Sequence, residues 1–299
     1  MAMDRLLPAE IADAIASMGP TFDPDVLKRS IAAFEPITDR SLPPGGQSFR
    51  GIKYGAHERQ AVDIHVPGLP SAPVVIFVPG GGFVRGDKQS YDAVGAAFAR
   101  LGLVAVIANY RLAPESPWPS GAEDVARIID FVATKIDQYA GRPDHVVVVG
   151  QSAGASHVAA AMFDDRLKPL HLAAVRHVAL MSGIYYLNPG DLSAGAVSYF
   201  GADQDQHQDR SPCRTVAGNP VSLSLLISEF DPIVYVRQGA QLAVALAEER
   251  RRAPDISTVL QHNHISSILN ISTSYDTVSR RLLGSMPAVE SPSRGTEAP

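Results

Sequence analysis

The sequence predicts an α/β fold with a mainly parallel sheet covered by helices on both faces. Three observations carry this reading. Apolar runs of strand length alternate with stretches of helical periodicity along most of the chain. Two of those runs, Val74-Val75-Ile76-Phe77-Val78 and Val146-Val147-Val148-Val149, are continuous rather than alternating, as in strands buried on both faces. The second run leads straight into Gly150-Gln151-Ser152-Ala153-Gly154 and then an alanine-rich stretch, which is the order strand, tight turn, helix.

Taken in order, residues 7–34 carry helical periodicity in two pieces, separated by Gly19-Pro20. Ile11, Ile15 and Met18 fall on one face of the first piece, and Leu27, Ile31 and Phe34 on one face of the second. Asp23 is the expected N-cap of the second piece, with Pro24 at its first position. A proline- and glycine-rich linker follows at Pro43-Pro44-Gly45-Gly46. Residues 49–54 and 61–66 read as strands joined by a short connection and therefore antiparallel. Strand 74–78, a helix over 91–101, strand 104–108, a helix over 122–140 and the strand ending at Val149 come next. Beyond the serine turn, residues 175–181 read as a strand and 187–218 as loops with short helices. Strand 223–228, a helix over 234–252, a strand over 257–261 and a last helix over 266–283 complete the pattern. Residues 287–299 are rich in Pro, Ser, Glu and Gly and are expected to be disordered. The domain expectation is a helical segment at residues 1–40, a catalytic domain at 41–285 and a tail at 286–299.

The chain has 299 residues, 45% of them hydrophobic and 19% charged, enough for a large, well-buried α/β core. Its 26 Lys and Arg against 31 Asp and Glu give a net charge of −5, which argues against a nucleic-acid partner. Arg250-Arg251-Arg252 reads as the solvated end of a helix, its cations near the negative dipole end. Cys213 is the sole cysteine, so an intrachain disulfide and a cysteine-based zinc site are excluded. A buried, inert thiol is expected there. No secretory leader and no membrane-spanning run is read from the sequence, and the expectation is a soluble, cytoplasmic protein without cofactor or metal and without a membrane partner.

A serine at the apex of a strand-to-helix turn adopts a strained backbone that exposes its hydroxyl, and the following N–H points to the same spot. Capping of the helix by Ser152 is the plainer use of the same residue. A serine nucleophile needs a base, and the charge it builds on a carbonyl needs donors. Pro79-Gly80-Gly81-Gly82-Phe83, directly after strand 74–78, offers backbone N–H groups without side-chain hindrance. A phosphate loop would need a Lys-Ser/Thr pair, which is missing here. Asp231 follows strand 223–228, and His262-Asn263-His264 follows strand 257–261. The ends of parallel strands share one sheet edge, so Ser152, Asp231 and His264 can converge there.

These segments, with Asn109-Tyr110-Arg111-Leu112-Ala113-Pro114-Glu115, resemble the α/β-hydrolase carboxylesterases of the hormone-sensitive-lipase-like group, over about residues 54–282. Ser182-Gly183-Ile184-Tyr185 also resembles the arylformamidase branch of that fold. The resemblance implies an α/β-hydrolase fold with a small N-terminal helical cap, and cleavage of small or medium carboxylic esters through an acyl-enzyme, or alternatively of formamides or amides with the same triad. It implies Ser152 as nucleophile, His264 as base and acid, Asp231 as its orienting acid, and the N–H groups of Gly81, Gly82 and Ala153 as the oxyanion hole. His262 and Glu229 are the weaker neighbours for base and acid. Homodimerisation would be in keeping with the group. The sequence departs from the family at Pro79, where the glycine loop normally begins with a histidine that braces it. Trp118 is expected to anchor its loop by packing, while Phe83, Tyr185 and Tyr186 divide between core and substrate pocket.

Overall fold

The computed structural model describes residues 7–218 and 221–284. Its strands are β1 (Gln47–Lys53), β2 (Ala61–Val66), β3 (Ala72–Val78), β4 (Val104–Ala108), β5 (Gly141–Gln151), β6 (Val175–Met181), β7 (Ser222–Phe230) and β8 (Asp255–Asn263). They form one sheet in the order β1-β2-β4-β3-β5-β6-β7-β8. β2 runs antiparallel to both of its neighbours, and every later pairing is parallel.

The helices in chain order are α1 (Ala9–Met18), α2 (Pro24–Phe34), α3 (Asp92–Arg100), α4 (Ser120–Lys135), α5 (Ala153–Phe163), α6 (Ala194–Phe200), α7 (His207–Arg210), α8 (Ile233–Arg250), α9 (Ser266–Leu269) and α10 (Ser279–Leu283). The continuous valine-rich strands separate their alternate residues onto two apolar layers. Val74, Ile76, Val106, Val146 and Val148 pack with Ile128 and Val132 of α4 and Val158 of α5. Val75, Phe77, Ile107, Val147 and Val149 pack with Phe98 of α3 and with Ile268, Val278 and Leu282. Each such side chain is fully or almost fully buried and contributes about 1.5–3 kcal/mol of transfer free energy. Among the described residues no helix is long and apolar enough to cross a membrane.

The N-terminal helices begin and end as the sequence dictates. The Asp23 carboxylate accepts a hydrogen bond from the Val26 N–H at 2.9 Å, Pro24 opens α2, and Gly19 leaves α1 with φ of +66°. Ile11, Ile15, Met18, Val26 and Phe34 form an apolar cluster between the two helices, next to Phe230 and Leu269. Here α2 differs from the single face read in its sequence. Phe34 is buried with Val26 and Ser30, whereas Leu27 and Ile31 lie on the adjoining face and line a cavity.

A second difference lies at the C-terminal end. In place of one helix over 266–283 there are α9, a 3-10 turn at Asn270–Ser272 and, after an irregular stretch, α10. Local side-chain bonds displace the helical ladder there. Asn270 accepts from the Thr277 N–H and donates to the Tyr275 carbonyl, and Asp276 accepts from the N–H groups of Val278 and Ser279. The break lets Ile268, Ile271, Val278 and Leu282 all reach the same apolar layer. Residues 286–299, read as a disordered tail, lie outside the described residues.

Candidate active site

The site is assembled where β3, β5, β7 and β8 end. Ser152 stands between β5 and α5 with φ of +54°, a conformation that non-glycine residues rarely adopt. Its N–H donates to the Met181 carbonyl at 2.8 Å, which ties the turn to the end of β6. The glycines around it allow close approach. A Cβ on Gly154 would press into the carbonyl oxygens of Val78 and Pro79, and one on Gly150 into the backbone of Ala155. The tight turn therefore rests on the end of β3, where the glycine-rich loop begins.

His264 Nε2 lies 2.9 Å from Ser152 Oγ, and His264 Nδ1 lies 2.8 Å from Asp231 Oδ1. Asp231 and His264 are buried at 2% and 1% exposure, whereas Ser152 keeps 7% and faces the cavity. The remaining Asp231 oxygen accepts from Ser182 Oγ at 2.5 Å and from the Ser228 N–H at 2.7 Å. With both oxygens filled, the carboxylate is held in one orientation, and the imidazole is set to keep its proton on Nδ1 and to accept at Nε2. Asp231 makes no capping bond to α8, whose N-terminus follows Pro232.

The neighbours weighed for the same roles are engaged elsewhere. His262 is buried against Phe34, its Nδ1 3.1 Å from Ser266 Oγ, and burial pulls its pKa down to about 4. Glu229 accepts from the Gln261 N–H at 2.6 Å at the exposed rim. The structure thus brings together the three residues read as a triad and leaves out the two alternatives.

The glycine-rich loop sits opposite. Gly81 and Gly82 line the cavity beside Ser152, and among the described residues the N–H groups of Gly81, Gly82 and Ala153 have no acceptor. The loop is held without the family's histidine. Tyr110 donates its hydroxyl to the Pro79 carbonyl at 2.9 Å, and the Gly80 N–H donates to Gln151 Oε1 at 3.2 Å. Gln151 Nε2 in turn donates to the His264 carbonyl at 3.1 Å. One amide side chain thus joins the glycine loop to the segment that carries the imidazole. Arg111, next to Tyr110, makes bidentate contacts with the fully buried Asp124 and also reaches Glu123.

Sequence reasoning missed several of these residues. Gln151 is the last residue of β5, directly before Ser152, and its position inside the motif was the available signal. Tyr235 stacks on the His264 ring at 4.2 Å, and Phe22, between α1 and α2, contacts that ring at 4.9 Å. Asn263 donates to Ser30 Oγ of α2 at 2.9 Å. No local pattern marks these contacts. Phe83 and Tyr185, divided in the sequence between pocket and core, belong to the core. Phe83 stacks on Tyr199 at 5.2 Å, and the Tyr185 hydroxyl accepts from the Gly183 N–H. Trp118 packs on Tyr199 and Phe200, as an anchor would, and Cys213 is buried, which raises its thiol pKa.

The cavity has a volume of about 220 Å³, with Ser152, His264 and the loop glycines on its floor. A family profile described as the alpha/beta hydrolase fold matches residues 75–233, more than half of the 299 residues. The chain belongs to the alpha/beta hydrolase family. Within this family the sequence is 31% identical over 123 residues to the isoprenylcysteine alpha-carbonyl methylesterase ICME of Arabidopsis thaliana, which covers 40% of this chain and 29% of that protein. It is 30% identical over 197 residues to the esterase LipQ of Mycobacterium tuberculosis, covering 59% and 46%. A thermostable esterase from Pseudomonas putida ECU1011 superposes with a TM-score of 0.67 at 18% identity, over 92% of each chain. The matches span between 24% and 47% of the length of the curated relatives.

Proposed function

We propose that this alpha/beta hydrolase is a serine carboxylester hydrolase, a cytoplasmic enzyme acting on small or medium esters. The Ser152–His264–Asp231 chain of hydrogen bonds, opening onto a cavity beside three unclaimed backbone N–H groups, carries the reading. Ser152 Oγ attacks the ester carbonyl carbon while its proton passes to His264 Nε2. The imidazolium is stabilised by Asp231, and the carbonyl oxygen, now an oxyanion, is received by the N–H groups of Gly81, Gly82 and Ala153. Collapse breaks the bond to the alcohol, which leaves with the proton from His264, and an acyl group remains on Ser152. Water then gives a proton to His264 and attacks the acyl carbon, and on collapse the bond to Ser152 Oγ breaks as His264 returns that proton to Oγ, releasing the acid. Phe22, Leu27 and Ile31 give the cavity an apolar wall, which supports a cap role for the N-terminal helices.

The formamide alternative drew on Ser182-Gly183-Ile184-Tyr185. Ser182 is taken up by the Asp231 carboxylate and Tyr185 by the core, so the stretch has a positional role in an esterase as well. The test is p-nitrophenyl ester turnover by the native protein and by Ser152→Ala, with mass spectrometry after reaction with an alkyl phosphonate. Native turnover, a phosphonyl adduct on Ser152 and a loss of roughly a million-fold in the variant are expected. Substantial turnover by the variant at saturating ester would remove Ser152 from the mechanism.

A further inference from the structure

The lining of the cavity above Ser152 combines two chemistries. Leu27 and Ile31 of α2, with Ile268 and Leu269 of α9, make one wall apolar. The segment that continues the glycine loop adds Arg85, Asp87, Ser90 and Tyr91 to the lining. Its donors and acceptors are out of balance. Asp87 is already occupied, one carboxylate oxygen accepting from the Gln89 N–H and the other from Asn109 Nδ2, with the Arg59 guanidinium 4.0 Å away. Among the described residues the Arg85 guanidinium and the hydroxyls of Ser90 and Tyr91 have no hydrogen-bond partner. Burial pushes the Tyr91 phenol up to about 12, so it stays protonated and able to donate. This lining therefore offers a guanidinium and two hydroxyls with no protein partner, while each oxygen of its carboxylate already accepts a hydrogen bond.

We infer that the substrate is an ester bearing a carboxylate, the anionic group facing Arg85, Ser90 and Tyr91 while its chain lies along the apolar wall. The inference rests on the esterase reading and adds the substrate class. Arg85 belongs to the same loop as the glycines, its N–H bonded to the Gly81 carbonyl at 3.1 Å. A substrate seated with its carbonyl at those glycines has this lining beside it. A charge-assisted hydrogen bond in a half-closed cavity improves binding by about tenfold to a hundredfold.

The experiment compares each anionic ester with a neutral ester of the same shape, following acid release by pH-stat. On the acyl side the pair is monoethyl adipate and ethyl 6-methylheptanoate. On the alcohol side it is 4-acetoxybutanoate and 4-methylpentyl acetate. The readout is the ratio of kcat/KM within a pair, for the native protein, Arg85→Gln and Tyr91→Phe. Arg85→Gln is expected to lower the anionic-to-neutral ratio by about tenfold or more in at least one pair, chiefly through KM, and Tyr91→Phe by a smaller factor. Added salt should lower the native ratio and leave that of Arg85→Gln nearly flat. A ratio that Arg85→Gln leaves within about twofold in both pairs overturns the inference. The neutral esters keep that failure separate, since their Ser152-dependent hydrolysis tests the esterase reading alone.

Discussion

His262, Asn263 and His264 are consecutive, yet their side chains meet three different surroundings. His262 turns into the apolar contact with Phe34, Asn263 bonds to Ser30, and His264 reaches Ser152 and Asp231. Replacement of the two histidines therefore separates their roles. His264→Ala is expected to cost roughly as much as losing the nucleophile, near a million-fold in turnover, because base and nucleophile act as one unit. His262→Ala is expected to keep turnover within about tenfold of native, its effect coming from lost packing. Steady-state kinetics on one p-nitrophenyl ester checks both, and the reverse ranking would move the base to His262. At the same scale, Pro79 replaces the family's bracing histidine without leaving the loop unsupported. Tyr110 and Gln151 supply the hydrogen bonds, and the Gln151 amide serves two loops with its two ends.

Among the elements, α2 has an unusual division of labour. One face closes the apolar cluster over β8, and the next places Leu27 and Ile31 against the cavity. Ile31 keeps 46% exposure, a cost in apolar surface facing solvent that a substrate chain would cover. Shortening these side chains should widen the apolar wall and leave the triad alone. Leu27→Ala and Ile31→Ala together are expected to move the optimum along a p-nitrophenyl ester series by one or two methylenes toward longer chains. Each methylene placed on the wall contributes up to about 0.8 kcal/mol. An unchanged profile of kcat/KM across the series would show that α2 is no part of the acyl or alcohol site. The proposed cap role of the N-terminal helices is thus tested without removing a segment that also supports Asn263 and His264.

At the scale of the whole molecule, buried histidines tie stability to pH. His157 sits within the rings of Phe83, Tyr110 and Tyr199, both ring nitrogens lacking a partner, and burial lowers its pKa from 6.5 to about 3. His262 is lowered to about 4, again chiefly by burial. Both pKa values are depressed on folding, so the unfolded chain takes up protons first as pH falls. The stability that their neutral forms contribute is complete above about pH 6.5 and is lost as pH falls from there toward the folded values. Each costs about 1.4 kcal/mol per pH unit within that window. Guanidinium unfolding is therefore expected to give lower stability at pH 5.5 than at pH 7.5. His157→Leu, whatever its effect at neutral pH, should reduce the difference by about 1 kcal/mol. An undiminished difference in the variant would take His157 out of the balance.

The sequence by itself determined the layout of this protein. Continuous runs such as Val146-Val147-Val148-Val149 admit burial on both faces, the strand–turn–helix around Ser152 is local chemistry, and Asp23-Pro24 supplies the N-cap and first position of a helix. Parallel strands that end on one edge then make the neighbourhood of Ser152, Asp231 and His264 legible, because their positions follow from chain direction. What needed the tertiary structure were choices among neighbours and contacts between distant segments. That His264 rather than His262 meets Ser152 depends on which side chain the end of β8 turns toward β5, since the two histidines lie only two residues apart. The break between α9 and α10 depends on Asn270 and Asp276 finding partners. The links from Gln151 to Gly80, Ser182 to Asp231 and Asn263 to Ser30 join residues 49 to 233 positions apart. Periodicity describes one segment at a time, and the free energy that selects such contacts arises where separate segments exclude water together.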